Sequence, residues 1–445
     1  MGKSTGRVTI VLRAAFALAL AAALWAGAPA LAFHSGGVGA CDGCHTMHNS
    51  FENRAMAPTL PLLTSGPYLL QGPDASSACL HCHQQAGDLL PNAHHVSTAD
   101  GDMPTGTPPR QLAPAGDFGW LKKTYTWQLV PGGPMLTSRG ERHGHNIVAA
   151  DYGYVEDVAH PTAPGGDYPS ARLGCHSCHD PHGKYRRFAD GSIATSGQPI
   201  MASGSYADSP DPTSALAVGV YRHLAGVGYQ PKSLGAHAFV FPPPAAVAPR
   251  DYNRSEAVTQ TRVAYGSGMS EWCGNCHARV LDGTFVSGET GHVHPADDDA
   301  DLTTSVVANY DAYVATGDLG GSHARSYLSL VPFEEGTADY ALLKAHARND
   351  DSFLEGPSVY SNVSCLSCHR SHASGFDSKT RYGHGSEFMT LGDGAGVPSW
   401  PDPATSPAIA QGRTPEEIQQ AYYGRAPTVF APYQRDLCDK CHLKD

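Results

Sequence analysis

The sequence has little charge, and most of that charge is acidic. Asp, Glu, Lys and Arg together make up 16% of its 445 residues, and the formal net charge is −12. Soluble domains typically contain roughly 25% charged residues. A shortage of basic residues argues against the strongly positive surface that nucleic-acid-binding proteins present, so no nucleic-acid partner is expected.

Long hydrophobic runs are missing after the first 32 residues. Within residues 1–32, a basic start precedes a short apolar run and a small-residue end, Ala30-Leu31-Ala32. This pattern is typical of a secretory signal peptide, and the run is shorter than the ~20 residues that a membrane span needs. We therefore expect residues 1–32 to be a signal peptide. Residues 33–445 are then exported through the periplasm and secreted to the outer cell surface or beyond.

Uninterrupted stretches of helix-forming or strand-forming residues are scarce, because the chain contains 49 glycines and 34 prolines. Both residue types interrupt regular backbone hydrogen bonding. The predicted fold class is mostly irregular coil with short helices and few short strands. The clearest helix candidates are residues 334–347 and 414–423. Something other than regular secondary structure must organise the interior of such a chain.

No cysteine is left outside one repeated motif, because all twelve belong to C-x-x-C-H units. The six units are Cys41, Cys44 and His45; Cys79, Cys82 and His83; Cys175, Cys178 and His179; Cys273, Cys276 and His277; Cys365, Cys368 and His369; and Cys438, Cys441 and His442. The motif is typical of covalent c-type haem attachment. Two thiols form thioethers with one haem, and the adjacent histidine binds its iron. Six copies without a spare cysteine exclude a disulfide framework, a thioredoxin-like pair and a zinc site.

The motifs therefore predict six covalently bound c-type haems and an electron-transfer protein. Catalysis at iron needs an open coordination position, and none of the six motifs has lost its histidine. We do not expect an enzyme or a catalytic residue. Two alternatives stay open at this stage: a monomeric periplasmic electron shuttle, and a multihaem oxidoreductase with one open-site haem.

Three motifs continue as C-x-x-C-H-x-x-H, with the additional histidine at His48, His182 and His372. Three residues span at most about 10 Å of backbone, so such a histidine cannot reach the far face of its own haem. If it binds iron, it binds a neighbouring haem and draws the two haems together. We expect all three to be second, or distal, iron ligands.

The other distal ligands are less sharply defined by sequence. The candidates are His34, His95, His145, His294 and His346. Three histidines adjoin the candidates, and the sequence leaves those choices open: His94, His143 and His292. The ten histidines outside the candidate and motif sets, including His143 and His223, are expected at the surface.

Methionine is the other possible soft ligand, and it would raise the reduction potential of a haem. Met47, Met269 and Met389 are available. Because the chain contains 24 histidines, four times the number of irons, bis-histidine ligation at all six irons is the better prediction. Such ligation implies low potentials.

Motifs with and without the additional histidine alternate along the chain. This alternation predicts three haem-pair modules, around residues 41–83, 175–277 and 365–442. We expect them to form one elongated unit, residues 33–445, wrapped around a chain of six haems. An acidic loop at Asp297–Asp301 could hold a calcium or magnesium ion, although a solvated loop is the commoner explanation.

Several segments resemble the OmcS-type outer-surface hexahaem c-type cytochromes of metal-reducing bacteria. They include FHSGGVGACDGCHTMHNS, GWLKKTYTW, CHDPHGKYRRF, CLSCHRSHASGFDS and FAPYQRDLC. The resemblance spans essentially the whole chain after residue 32 and keeps all six motifs in order. It implies polymerisation into extracellular nanowire filaments for electron transfer to minerals or other external acceptors.

The resemblance also carries implications for ligands and partners. It implies that His48 ligates the haem attached at Cys365 and Cys368 of the next subunit. All eight candidate histidines stand at positions that match the family, so at least two of the eight do not bind iron. The implied partners are further copies of the chain, other cytochromes and extracellular metal oxides.

Overall fold

A computed structural model describes residues 41–46, 50–51, 54–55, 69–84, 91–196, 200–231, 234–283 and 294–442. The predicted signal peptide, His34 and His48 lie outside the described residues. Most of the described chain is coil, with short helices and few short strands, which confirms the predicted fold class. No helix in these ranges is long and apolar enough to cross a bilayer.

The helices of the described chain are short. They are α1 (Ala75–His83), α2 (Met269–Leu281), α3 (Thr304–Ala312), α4 (Tyr340–His346), α5 (Cys365–Cys368), α6 (Pro407–Ala410) and α7 (Pro415–Ala421). Several single turns of 3-10 helix connect them. Three of the helices, α1, α2 and α5, contain C-x-x-C pairs. Helical turns therefore hold the two cysteines of these three motifs.

The two helices predicted from sequence have different outcomes. The helix within 414–423 is confirmed as α7, which begins with a capping box: Thr414 Oγ1 accepts from Glu417 N, and Glu417 Oε2 accepts from Thr414 N. The predicted helix at 334–347 is wrong in its first half. Glu334 there pairs in β-bridges with Tyr265 and Asn362, and α4 begins only at Tyr340.

The strands form small antiparallel ladders. They are β1 (Ser50–Phe51), β2 (Arg54–Ala55), β3 (Tyr125–Gln128), β4 (Met135–Ser138), β5 (Arg186–Arg187), β6 (Ile193–Ala194), β7 (Val218–Gly219), β8 (Ala245–Val247), β9 (Ala264–Ser267), β10 (Leu391–Gly392) and β11 (Pro398–Ser399). Pairs form between β1 and β2, β3 and β4, β8 and β9, and β10 and β11, and β5 lies between β6 and β7. Such small sheets cannot bury a large interior by themselves.

The protein core is aromatic and unusually rich in buried cations. In its largest apolar cluster, Trp400 stacks on Tyr422 with centroids 4.9 Å apart and planes 2° apart. The guanidinium of Arg370, which is 2% exposed, lies 3.8 Å from the centroid of the Tyr423 ring. Cation–π contacts of this kind offset part of the cost of burying a charge. Met269 and Met389, the alternative ligands inside the described ranges, are buried in apolar clusters.

A buried polar cluster ties β4 to the chain that follows the fifth motif. His143 is fully buried, with Nε2 2.8 Å from Ser138 Oγ and Nδ1 3.0 Å from the carbonyl oxygen of Trp120. Burial alone would raise the pKa of the Asp377 carboxyl, but His143, Ser138 and the charge of Arg142 lower it to about 2. The prediction that His143 lies at the surface is therefore wrong, because its ring is a hydrogen-bonded part of the core. His223 is also buried, and its backbone bonds the third motif.

This cluster predicts a specific dependence of stability on pH. The Asp377 carboxyl has a lower pKa in the folded chain than the usual value of about 3.9, so its ionised form stabilises the fold above that pH. The contribution is lost as the pH falls from about 4 towards 2. We expect Asp377→Asn to lower the unfolding temperature at pH 6 and to match the wild type near pH 2. Thermal unfolding from pH 2 to 6 tests this, with Asp402→Asn in an exposed turn as the control. An Asp377→Asn deficit that is independent of pH would contradict it.

Candidate haem sites

Each attachment motif lies on a helical turn. The second, fourth and fifth motifs lie on α1, α2 and α5, and the first, third and sixth lie at 3-10 turns. In such a turn, positions i and i+3 share a face, so both thiols of a C-x-x-C pair point to one side. The adjacent histidine is held by the same turn: for example, His369 N donates to Cys365 O at 3.0 Å, and His442 N donates to Cys438 O at 2.9 Å. All twelve cysteines are free of disulfides.

Thiols of consecutive motifs are neighbours along the whole chain. The neighbouring cysteines are Cys44 with Cys82, Cys79 with Cys175, Cys178 with Cys276, Cys273 with Cys365, and Cys368 with both Cys438 and Cys441. Burial raises the pKa of Cys44, and the charge of Cys82 raises it further. A hydrogen bond between thiols raises the pKa of Cys79 and lowers that of Cys175. The six attachment sites therefore follow one another in space in the order of the sequence.

The contacts alternate in kind from one motif to the next. The first and second motifs are neighbours through the second cysteine of each motif, and so are the third and fourth motifs. The second and third motifs, and likewise the fourth and fifth, are neighbours through the first cysteine of each motif. At both first-cysteine approaches a helix serine assists, because Ser76 Oγ accepts from Cys175 N at 3.1 Å and Ser270 Oγ accepts from Cys365 N at 3.0 Å. The structure thus repeats every two motifs. The division into modules at 41–83, 175–277 and 365–442 stays a prediction.

Four of the six proximal histidines, those within the motifs, are oriented by backbone carbonyls. Nδ1 lies 2.5 Å from His94 O for His83, 2.8 Å from Arg222 O for His179, 2.7 Å from Pro164 O for His277 and 2.8 Å from Ser378 O for His369. A carbonyl can only accept, so Nδ1 carries the proton and Nε2 keeps its lone pair for a metal. Burial also lowers the pKa values of His277 and His369 to about 4, which keeps both rings neutral at pH 7.

A backbone clasp closes over the proximal histidine in each motif that has the additional histidine. The three clasps are Leu69–Gln71, His223–Ala225 and Lys379–Arg381. The last residue of each clasp donates its N–H to the carbonyl of the second motif cysteine, at 2.8, 2.9 and 2.8 Å. The first residue accepts from the N–H that follows the proximal histidine, at 2.6, 2.8 and 2.9 Å. The first residues have φ of 59°, 50° and 51°, a left-handed conformation that side chains other than glycine rarely adopt.

Five of the six proximal histidines face a second imidazole. The pairs and their centroid separations are His45 and His182, 6.5 Å; His83 and His94, 6.2 Å; His277 and His145, 6.1 Å; His179 and His372, 6.4 Å; and His442 and His294, 6.0 Å. A metal–imidazole bond is about 2.0–2.1 Å long and a ring nitrogen lies about 1 Å from its centroid, so one shared iron needs about 6 Å. Four of these pairs therefore fit c-type haems with histidine on both faces. His94 does not complete such a pair with His83, because its carbonyl oxygen is bonded to His83 Nδ1 and its ring cannot at the same time lie beyond Nε2, where the iron would bind.

The structure places the predicted distal ligands as follows. His145, His182, His294 and His372 each face a proximal histidine, whereas His34 and His48 lie outside the described residues. The imidazole 6.2 Å from His83 belongs to His94, whose carbonyl oxygen is bonded to His83 Nδ1, and the predicted ligand His95 lies beside that imidazole with centroids 4.2 Å apart. The sequence had left His94 open.

His346, another predicted ligand, is engaged elsewhere. Its ring stacks on Phe353 at 4.0 Å, and its Nδ1 lies 2.6 Å from Glu335 Oε2. Glu335 also pairs with the buried Arg262 at 2.9 Å. The structure therefore gives His346 a place in a buried ion-pair network and does not bring it to a proximal histidine within the described residues.

The additional histidines follow a regular rule. His182 of the third motif faces His45 of the first, and His372 of the fifth faces His179 of the third. Each additional histidine thus faces the proximal histidine of the preceding motif that also has an additional histidine. This agrees with the expectation that such a histidine cannot reach the iron of the haem attached at its own motif. In the described part of the chain, no imidazole faces His369 of the fifth motif at this separation.

One side chain stands between two facing imidazoles. Lys379 Nζ lies 2.6 Å from His145 Nε2, on the side where iron would bind. Burial lowers the pKa of Lys379 to about 8. Its four-carbon stem is flexible and can turn aside, so the lysine does not change the assignment of His145 and His277 as a pair.

The facing rings predict two classes of iron signal. The planes are 7° apart for His45 and His182 and 29° apart for His145 and His277, whereas they are 68° apart for His179 and His372 and 71° apart for His294 and His442. Ring orientation determines the splitting of the iron d orbitals, so we expect both moderately and strongly anisotropic low-spin ferric species. Electron paramagnetic resonance of the oxidised protein measures this. A single low-spin class would contradict these ring orientations.

The acidic loop at Asp297–Asp301 has a structural role. Asp298 Oδ1 accepts from Gly268 N at 2.8 Å, and Asp298 N donates to Glu271 Oε1 at 2.7 Å, so the loop covers the start of α2. Among the described residues, no group of three or more His, Cys, Asp or Glu side chains is arranged to hold a metal ion.

Comparison with known proteins agrees with this geometry. The chain is 56% identical over 436 residues to C-type cytochrome OmcS of Geobacter sulfurreducens, an alignment that covers 98% of this chain and 99% of the relative. Two solved structures are similar over 93% of this chain and the whole of theirs: the OmcS nanowires of the same organism (TM-score 0.85, 57% identity) and its outer membrane cytochrome S filament (TM-score 0.84, 58% identity). No protein-family model matches.

Proposed function

The chain belongs to the OmcS family of C-type cytochromes, and from this premise we propose that it conducts electrons along a row of six haems as the subunit of an extracellular filament. It is an electron-transfer protein and not an enzyme. The observation that carries the proposal is the unbroken series of neighbouring attachment sites, with a second imidazole placed to share an iron with four of the six proximal histidines.

The chain's own residues contribute position and protection. Twelve cysteines tether the haems so that consecutive attachments touch, which keeps the distance for each electron transfer short. Haem itself supplies an iron that alternates between the ferric and ferrous states. Histidines on both faces leave no coordination position for a substrate, and carbonyls bonded to Nδ1 hold the imidazole orientation. Electrons are thereby passed on without bond-making chemistry at iron.

Filament formation follows from the rule of the additional histidines. Among the six motifs, none stands before the first whose iron His48 could bind. None with an additional histidine follows the fifth, so no such histidine is left to bind the iron of His369. A second copy supplies both missing partners if its His48 binds the haem at Cys365 and Cys368 of the first copy. Such a contact joins different surfaces of the two copies, so it can repeat from copy to copy, and it produces an open filament when the rotation between copies does not close a ring.

The location and the partners follow from the same premise. We infer that the chain is exported past the periplasm and works at the outer cell surface, where other cytochromes and metal oxides can exchange electrons with it. Low surface charge suits self-association, because a large net charge of one sign keeps copies apart.

Electron microscopy of the secreted protein, combined with conductance between two electrodes, tests this function. We expect filaments with continuous haem density. They should carry current, both dried and hydrated, when they bridge the gap between the two electrodes. Monomers that exchange electrons in solution would instead identify a shuttle. Carbon monoxide binding by the reduced wild type would identify an open iron and an oxidoreductase.

A further inference from the structure

The three clasps differ in the residue that follows them. That residue is Gly72 after the first clasp, Gly226 after the second and Tyr382 after the third. A Cβ at Gly226 would lie 2.4 Å from Pro243 Cδ, and one at Gly72 would lie 2.9 Å from Ala78 N. Neighbouring residues thus leave no room for a side chain at this position in two of the three clasps. At the fifth motif the same position holds a large aromatic side chain, which breaks the internal repeat.

Tyr382 reaches from the fifth motif to the sixth. Its backbone follows Arg381, whose N–H donates to Cys368 O at 2.8 Å, so the clasp fixes one end of the residue. Its hydroxyl oxygen lies 3.8 Å from Cys368 Sγ and 3.7 Å from Cys438 Sγ. The side chain belongs to the largest apolar cluster and is 3% exposed. One buried phenol therefore contacts attachment sulphurs of two different haems.

We propose that Tyr382 is a positioning residue that joins the last two haem attachments and tunes their potentials. When the thioethers form, each thiol proton moves to the vinyl group and both sulphurs become acceptors without protons. The phenol is then the one proton donor among the three groups. A buried hydroxyl without an acceptor is destabilising, so the phenol donates to one sulphur and packs against the other.

This contact has an electronic consequence. A hydrogen bond to a thioether sulphur draws electron density from the sulphur and from the porphyrin bonded to it. The reduced haem is the more electron-rich form, so the contact stabilises it and raises its reduction potential. The phenol stays unoxidised throughout, and no co-reactant is needed.

A redox titration of the intact protein, followed in the haem absorption bands, tests the proposal. We expect Tyr382→Phe to keep six haems and to lower the midpoint of one or two of the six components. Tyr422→Phe is the matched control, because Tyr422 is also buried and its hydroxyl accepts a hydrogen bond from Gly383 N at 2.8 Å. This variant therefore loses a buried hydrogen bond that does not involve sulphur. Its titration should superimpose on that of the wild type.

A Tyr382→Phe titration identical to that of the wild type would overturn the tuning role. Tyr382→Leu, which also removes the ring, tests positioning, and we expect its mass spectrum to include a fraction with fewer than six haems. Complete loading together with wild-type midpoints in Tyr382→Leu would overturn that role as well. These measurements depend on haem attachment and not on filament assembly, so they separate the two proposals.

Discussion

Replacing His48 with alanine is expected to leave six haems attached and to prevent the subunits from forming long filaments. The additional histidines of the third and fifth motifs each face the preceding motif of their kind, and by the same rule His48 serves a neighbouring copy. The variant removes an iron–nitrogen bond at every subunit junction. Because each loss of about 1.4 kcal/mol weakens association tenfold, we expect at least a tenfold rise in the protein concentration at which filaments form.

Sedimentation, electron microscopy and intact mass together measure this result. Intact mass establishes that the variant still carries six haems, so that a folding defect is not mistaken for an assembly defect. His346→Ala is the control, since the His346 ring contacts Phe353 and Glu335 of its own subunit. Filaments of wild-type length from His48→Ala would contradict a ligand shared between subunits.

Replacing His372 with alanine is expected to open one iron of the six while all six haems stay attached. His372 faces His179 at 6.4 Å, and burial lowers its pKa to about 3, so its ring is neutral and available to a metal. Without it, the haem at Cys175 and Cys178 loses its second axial ligand. We expect a high-spin ferric signal from one haem and carbon monoxide binding after reduction, neither of which we expect from the wild-type filament.

A conservative variant separates ligation from packing at this position. His372 also stacks on Phe118 with centroids 4.5 Å apart, so alanine removes a core contact as well as a ligand. Methionine can fill the space and bind iron, so His372→Met should stay low-spin with a raised potential. A wild-type spectrum from His372→Ala would show that this histidine does not bind iron.

Local chemistry in the sequence predicted the attachment sites but not the identity of every partner. The C-x-x-C-H spacing determines which residues hold each haem, because the two thiols and the histidine must share one turn. The argument that His182 and His372 cannot reach their own irons was local too, and both face other proximal histidines. Which distant histidine faces His83 depends instead on how a loop folds back. Val96 N donates to His83 O at 2.8 Å, and the loop so held presents His94 ahead of His95.

Other features could not be predicted because they are made by contacts distant in sequence. The three clasps lie at different distances from their motifs and have no residue type common to all three, so the full threefold repeat is visible only in the backbone hydrogen bonds. The helix expected from residue 334 starts late for a related reason. Glu334 is fully buried, and its carboxylate accepts from Met269 N and Asn362 Nδ2, both at 2.8 Å, which fixes it in an extended segment. Helix propensity is a weak preference that such contacts override.

A cryo-electron-microscopy map of the secreted protein tests the central claim most directly. We expect six porphyrins per subunit in the order of their motifs, each iron held between two imidazoles, and His48 density continuous with the iron of a neighbouring subunit. A gap in the row, a different order of porphyrins, or an iron with one bare face would contradict electron conduction through a closed series of bis-histidine haems.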